Sequence, residues 1–206
     1  MTEFSGNAIQ PSFRKNRISM AEIYLLMNKP EGYVCSAASD SHKTVYELLP
    51  PELQDLVKNA KRGHRLHTIG RLDADTKGLL LFTTDGMFSH KIAAAGISKI
   101  YIATLANPVT LQEQAQYNEQ AAKGLTLPPE KKAPEQQAAP ATIKFLSTTT
   151  AQITVTEGKF HEVRRIFRAL GNEVTELKRI AIGKLSLPDT LKPGEYTTFS
   201  PDQILF

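Results

Sequence analysis

The sequence predicts an α+β fold in which a largely antiparallel mixed sheet is flanked by helices. Short apolar or alternating runs recur along the 206 residues, at Ile23 to Met27, Leu79 to Phe82, Lys99 to Leu105, Val174 to Ile182 and Tyr196 to Phe199. Helical signatures fall between them at irregular intervals, and several neighbouring runs are spaced as hairpins. That order argues against a repeating βαβ unit and for a sheet built mostly from antiparallel neighbours. No internal repeat is visible.

Composition narrows the class. Hydrophobic residues make up 41% and charged residues 22%, the balance of an ordinary globular chain long enough for its own core. The single Cys35 excludes an intramolecular disulfide and a cysteine-rich zinc site. No apolar run approaches the length of a membrane span, and the polar N-terminus with Glu3 does not resemble a signal peptide. A cytoplasmic protein is expected.

Residues 1–21 read as a flexible basic tail carrying Arg14, Lys15 and Arg17, either a leader without a role or an arm that touches RNA. Residues 22–206 read as one domain. Ile23 to Met27 is a strand that ends in the turn Asn28-Lys29-Pro30-Glu31-Gly32. Thr44-Val45-Tyr46-Glu47 has capping-box spacing and opens a helix that Pro50-Pro51 can interrupt. Asp85-Gly86 marks a turn. In Lys99 to Leu105, Tyr101, Ala103 and Leu105 share one face while Ile100 and Ile102 share the other. Thr110 to Glu113 is a second capping box, with the helix ending at Gly124. Residues 128–141, rich in Pro, Ala and Gln, read as an exposed loop or linker. Thr142 to Ser147 pairs with Ala151 to Thr156 as a hairpin. A helix from Phe160 to Leu170 follows, and Val174 to Ile182 and Tyr196 to Phe199 close the sheet.

Charge is unevenly placed. The net charge is +4, a weak signal alone, but Lys159 to Lys184 holds seven Lys or Arg against three Glu. A second cluster, Lys58, Lys61, Arg62, His64, Arg65 and His67, precedes the loop at Asp73. Two basic patches beside one loop suggest a polyanionic partner. On a helical wheel Phe160, Val163, Ile166, Phe167 and Leu170 share one side, and His161, Arg164, Arg165 and Arg168 share the other. A polar face made of basic groups repels itself unless an anion sits against it; a solvated face is the bland alternative, but four such groups with only Glu162 nearby favour an anion-facing surface.

The loop from Gly70 to Lys77 runs directly into the strand Leu79 to Phe82, placing acidic side chains at the mouth of a core strand. Asp73-Ala74-Asp75-Thr76 superficially matches an aspartyl-phosphate phosphatase, but there the apolar strand comes before the motif. A calcium loop fails because Lys77 and Thr84 occupy ligand positions. A two-carboxylate hydrolase built on Asp73 and Asp75 stays open, as does a loop anchor with Asp73 paired to an arginine.

Six segments, in the family's order along the chain, resemble the RsuA-like RNA pseudouridine synthases, in their small-subunit rRNA branch. Gly70-Arg71-Leu72-Asp73 through Thr84-Asp85-Gly86 resembles the family's central signature. Asn28 to Ser36 looks like its first motif, Lys99-Ile100-Tyr101 its KxY strand, and Glu157 to Arg165 its EGxxHQVRR segment. Glu176 to Gly183 and Leu191 to Tyr196 resemble its closing elements. Together they cover roughly residues 23–200. Glu162 stands where the family usually has Gln, Ile166 where it usually has Met, and no S4 RNA-binding domain precedes Ile23.

The resemblance implies the pseudouridine synthase fold and isomerisation of uridine to pseudouridine in RNA, without cofactor or metal. It implies Asp73 as the catalytic carboxylate, Arg164 as the cation that keeps it ionised, and Tyr101 as base floor and proton-moving hydroxyl. Arg71 would fill the gap left by the flipped uridine, and Leu177 would pack on the base. Lys29, His161, Arg165 and Arg168 are the further expected RNA contacts. The expected partner is ribosomal RNA, taken by a monomer within a small-subunit assembly intermediate. The same reaction on large-subunit rRNA, or a non-catalytic RNA-binding protein of this fold, are the alternatives.

Overall fold

The computed structural model describes residues 22–61, 63–130 and 133–205. The expected tail, 1–21, and Arg62 of the second basic cluster lie outside the described residues. In chain order the elements begin with β1 (Tyr24–Lys29), β2 (Tyr33–Val34), β3 (Lys43–Thr44), a 3-10 helix (Val45–Leu48), α1 (Pro51–Lys58), β4 (His67–Ile69), β5 (Thr76–Thr83) and α2 (Gly86–Ala94). They continue with β6 (Lys99–Leu105), α3 (Leu111–Ala122), β7 (Thr126–Leu127), β8 (Gln136–Gln137), β9 (Thr142–Phe145) and β10 (Thr150–Val155). The chain closes with α4 (Glu162–Ala169), β11 (Val174–Ile182), β12 (Leu185–Ser186), β13 (Tyr196–Thr198) and α5 (Asp202–Leu205).

Among the described residues the main sheet has nine strands, with the path β13-β1-β5-β11-β6-β10-β9 and with β4 and β12 added beside β5 and β11. Its strand pairs are antiparallel except one, the parallel pair β5 and β11. The mixed, largely antiparallel α+β architecture expected from the sequence is therefore the observed one. The apolar run in β5 is explained by cover on both faces. Leu80 and Phe82 pack with Val45, Tyr46, Val163 and Phe167, whereas Leu79 and Leu81 pack with Phe88, Ile92, Phe199 and Ile204. Each such fully buried side chain contributes about 1.5–3 kcal/mol, so β5 is a rigid base for the loop that precedes it.

The parallel pair brings distant motifs together. Leu177 lies beside Thr76 and Arg179 beside Gly78. Across the next interface Arg179 pairs with Tyr101. This close approach needs a glycine: Gly78 has φ +102°, and a Cβ there would meet the Arg179 carbonyl oxygen at 2.2 Å.

Several expectations are corrected. Asp85-Gly86 is a helix start rather than a turn: the Asp85 carboxylate accepts from the Phe88 amide at 2.9 Å and caps α2. The helix opened by Thr44 is a single 3-10 turn, and Pro51 begins a separate α1, where its missing N–H does no harm. Residues 128–130 and 133–141 are only partly the exposed loop expected. Ala133, Ala138 and Ala141 are buried, and β7 and β8 form a small hairpin packed near α4.

Candidate functional site

The loop from Gly70 to Thr76 is held from below by the Asn28 to Ser36 segment. The Lys29 ammonium donates to the carbonyls of Pro30 (3.1 Å), Ala74 (3.2 Å) and Thr76 (2.8 Å). The Gly32 amide donates to the Ala74 carbonyl at 2.8 Å, and the Cys35 thiol lies 3.4 Å from both the Leu72 amide and carbonyl. Lys29 is fully buried, and burial lowers its pKa. It was expected to touch RNA, but its charge is turned inward onto carbonyls, leaving no surface for a ligand. It fixes the acidic loop instead.

Above this support Asp73 presents a side chain 40% exposed, and the partner nearest to it is His161 rather than Arg164. His161 Nε2 lies 3.5 Å from Asp73 Oδ1, and His161 Nδ1 lies 3.2 Å from Glu130 Oε1. Arg164 instead pairs with Asp75, Nη2 to Oδ2 at 2.9 Å, while its Nη1 donates to the Val174 carbonyl at 2.8 Å. Its Nε and Nη2 are buried without a well-aligned hydrogen bond. The expected Arg164–Asp73 pair is thus replaced by two parallel couplings, His161 with Asp73 and Arg164 with Asp75. The two aspartates, two positions apart, reach different partners on the α4 side of the site.

The basic helix face divides into an inner and an outer part. Arg165 was expected to face RNA but has no exposed surface. Its guanidinium donates to the carbonyls of Pro128 (2.9 Å), Pro134 (2.7 Å), Phe160 (3.3 Å) and Leu127 (3.4 Å). Four carbonyl dipoles satisfy a buried cation that lacks a carboxylate. The result is that the 127–134 segment is fastened to α4, which is what delivers Glu130 to His161. Arg168 does reach outward, 42% exposed, with Nη1 3.3 Å from Glu130. Burial acts to raise the Glu130 pKa, but the His161 bond and the His161 and Arg168 charges outweigh it, and the net shift is downward. The wheel holds for Val163, Ile166, Phe167 and Leu170, which are buried, and fails at Phe160 because α4 begins only at Glu162. His161 is its N-cap, at φ +49°, an uncommon conformation for a residue with a side chain. Phe160 therefore leaves the apolar stripe and stands 40% exposed.

Tyr101 and Leu177 form an inner wall, 8% and 4% exposed. Behind Tyr101 lies Arg179, whose Nε donates to the Leu79 carbonyl at 2.8 Å and whose guanidinium carbon is 6.0 Å from the Tyr101 ring centre. Its Nη1 reaches the Tyr101 hydroxyl only at 3.5 Å. Glu162 is also turned inward. Burial, then the charge and hydrogen bonding of Glu157, push its pKa up to about 7.

These groups surround one cleft of about 620 Å³, with Arg71, Asp73, Tyr101, His161, Arg164 and Leu177 on its wall. That is a common size for a small-ligand pocket. Among the described residues, no three His, Cys, Asp or Glu side chains gather as metal ligands. Of the second basic cluster, His67 pairs with Thr83, at the end of β5 away from Asp73, so adjacency in sequence overstated its closeness to the site. Glu130, Arg179 and the Asp75 partnership were not foreseen. Glu130 lay in a stretch whose composition reads as linker, and Arg179 sat in a recognised motif without an assigned role.

The cleft thus sets a half-exposed carboxylate beside an aromatic and aliphatic wall, with exposed Arg71 on its lining. A family model described as RNA pseudouridylate synthase matches residues 23–169, and the chain belongs to that family. The ribosomal small subunit pseudouridine synthase A of Salmonella typhimurium is 38% identical over 183 residues, covering 88% of this chain and 72% of that protein. The protein of the same name from Escherichia coli (strain K12) is 39% identical over the same shares. A crystal structure of a pseudouridylate synthase superposes with TM-score 0.75 at 36% identity, covering 90% of this chain and 73% of that one.

Proposed function

We propose that this chain converts one uridine of small-subunit ribosomal RNA to pseudouridine, with Asp73 as the reacting carboxylate. The observation that carries the reading is the placement of Asp73: its loop is immobilised by Lys29, yet its carboxylate opens onto the Tyr101–Leu177 wall. The bond from the ribose C1′ to N1 breaks, the uracil turns, and C5 bonds to C1′. C5 then loses a proton and N1 gains one, so the product is an isomer of the reactant. Asp73 acts on the sugar as nucleophile or electrostatic partner, and Tyr101 and Leu177 hold the base as it turns.

The target must leave its stack to reach the cleft, and exposed Arg71 at the mouth is the side chain available to occupy the gap. His161 holds Asp73, Arg164 holds Asp75, and Arg168 meets phosphate. Relatives named for the small ribosomal subunit support the choice of RNA. The absence among the described residues of a helix long and apolar enough to cross a membrane is compatible with action on RNA in the cytoplasm.

A paired base costs a few kcal/mol more to flip than a loose one, so partly assembled small-subunit particles should be modified better than a short stem-loop. The test is to map pseudouridines in rRNA from cells with and without the gene. One small-subunit position should lose its mark, and a loss confined to large-subunit rRNA would overturn the choice of target.

A further inference from the structure

We propose that Phe160 forms a second subsite in this cleft, a stacking platform for a nucleobase flanking the target uridine; this rests on the RNA reading above. Phe160 lines the same cleft as Asp73 and is 40% exposed, although its ring belongs to a residue type usually buried. One ring face is already used. It lies parallel to the His161 imidazole, with centroids 3.8 Å apart and planes 16° apart. The ring is thus the outer layer of a stack that begins at the Asp73 partner.

The position is fixed from both sides. The positive φ of His161 turns the chain into α4 just after Phe160, leaving that ring outside the helix, and the Phe160 carbonyl accepts from buried Arg165 at 3.3 Å. A residue in such a conformation at a site is a reason to look for a role. The occupant follows from its surroundings: the adjoining pocket takes a uridine, and exposed Arg71 lies on the same cleft wall. An apolar planar surface next to cations fits a nucleobase on a phosphate backbone, which single-stranded RNA presents through stacking on aromatic rings. The uridine in the pocket and its neighbour on Phe160 would then be splayed apart across His161.

Stacking and charge neutralisation respond differently to salt. Affinity for small-subunit and large-subunit rRNA transcripts is therefore measured from low to high salt for the wild type, F160A, F160L and F160W. On the RNA that the wild type binds more tightly, F160A and F160L should weaken binding by about tenfold, as for loss of one base–aromatic stack. That factor should be the same at every salt concentration, and F160W should bind like the wild type. F160L tests for mere apolar bulk without a π face, and thermal unfolding of each variant verifies the fold. Wild-type affinity in F160A, or in F160L, would overturn the proposal. Absence of pseudouridine formation by the wild type would instead overturn the reaction and leave this binding series readable.

Discussion

His161 stands between Asp73 and Glu130, its Nε2 3.5 Å from one carboxylate and its Nδ1 3.2 Å from the other. The segment carrying Glu130 is itself fastened by Arg165, so the orientation of the imidazole at Asp73 depends on a chain of buried contacts. Replacing Glu130 by Gln keeps the shape and removes the charge. Turnover should fall about tenfold, the equivalent of one hydrogen bond to a charged group. Single-turnover rates with saturating RNA read this directly. An unchanged rate would mean that His161 is positioned by its backbone alone.

Arg165 and Arg168 are neighbours on one helix with opposite fates, so their substitution should separate stability from binding. Arg165→Ala leaves four carbonyls unpaired and should cost about 3 kcal/mol or more in urea unfolding. Arg168→Ala should leave stability within about 0.5 kcal/mol, while flattening the slope of RNA affinity against salt by about one unit. Equal effects of both variants on that slope would contradict the burial of Arg165.

Glu162 makes stability depend on pH. Its folded pKa is about 7, against an ordinary 4.5, because burial and then Glu157 disfavour the charge; Lys159, and half-buried Lys99, face it with the opposite sign. Between those values the folded protein holds a proton that the unfolded chain has released, so stability declines as pH rises from 4.5 through 7. The whole difference is on the order of 3 kcal/mol at most. Glu162→Gln cannot titrate and should hold its unfolding midpoint over this window, becoming more stable than the wild type at pH 8. Midpoints that shift in parallel for both proteins would remove Glu162 as the cause.

The sheet and the location of the cleft were legible because they rest on local pattern. Alternation in β6, the apolar run of β5 and the glycine-punctuated loop at Asp73 each declare themselves within a few residues. What stayed hidden depends on long-range contact. Arg165 and Arg168 have the same chemistry and adjacent turns, and only the 127–134 segment, more than thirty residues upstream, decides which is buried. Lys29 likewise reads as a surface cation until the carbonyls of Ala74 and Thr76 surround it. The wheel placed Phe160 inside because no propensity announces a left-handed His161. Arg164 could be assigned to an aspartate but not to the right one, since Asp73 and Asp75 differ only in how the loop turns between them.

The central claim is that Asp73 performs the chemistry while adding little to the fold, and Asp73→Asn tests it most directly. The substitution is nearly isosteric, and the side chain is 40% exposed. Purified wild-type and Asp73→Asn proteins are incubated with small-subunit rRNA and its assembly intermediates, and pseudouridine is quantified by position. The wild type should mark a single uridine. The variant should unfold at the same temperature within a few degrees, bind RNA with similar affinity, and form no pseudouridine. Pseudouridine made by folded, pure Asp73→Asn protein would contradict the account.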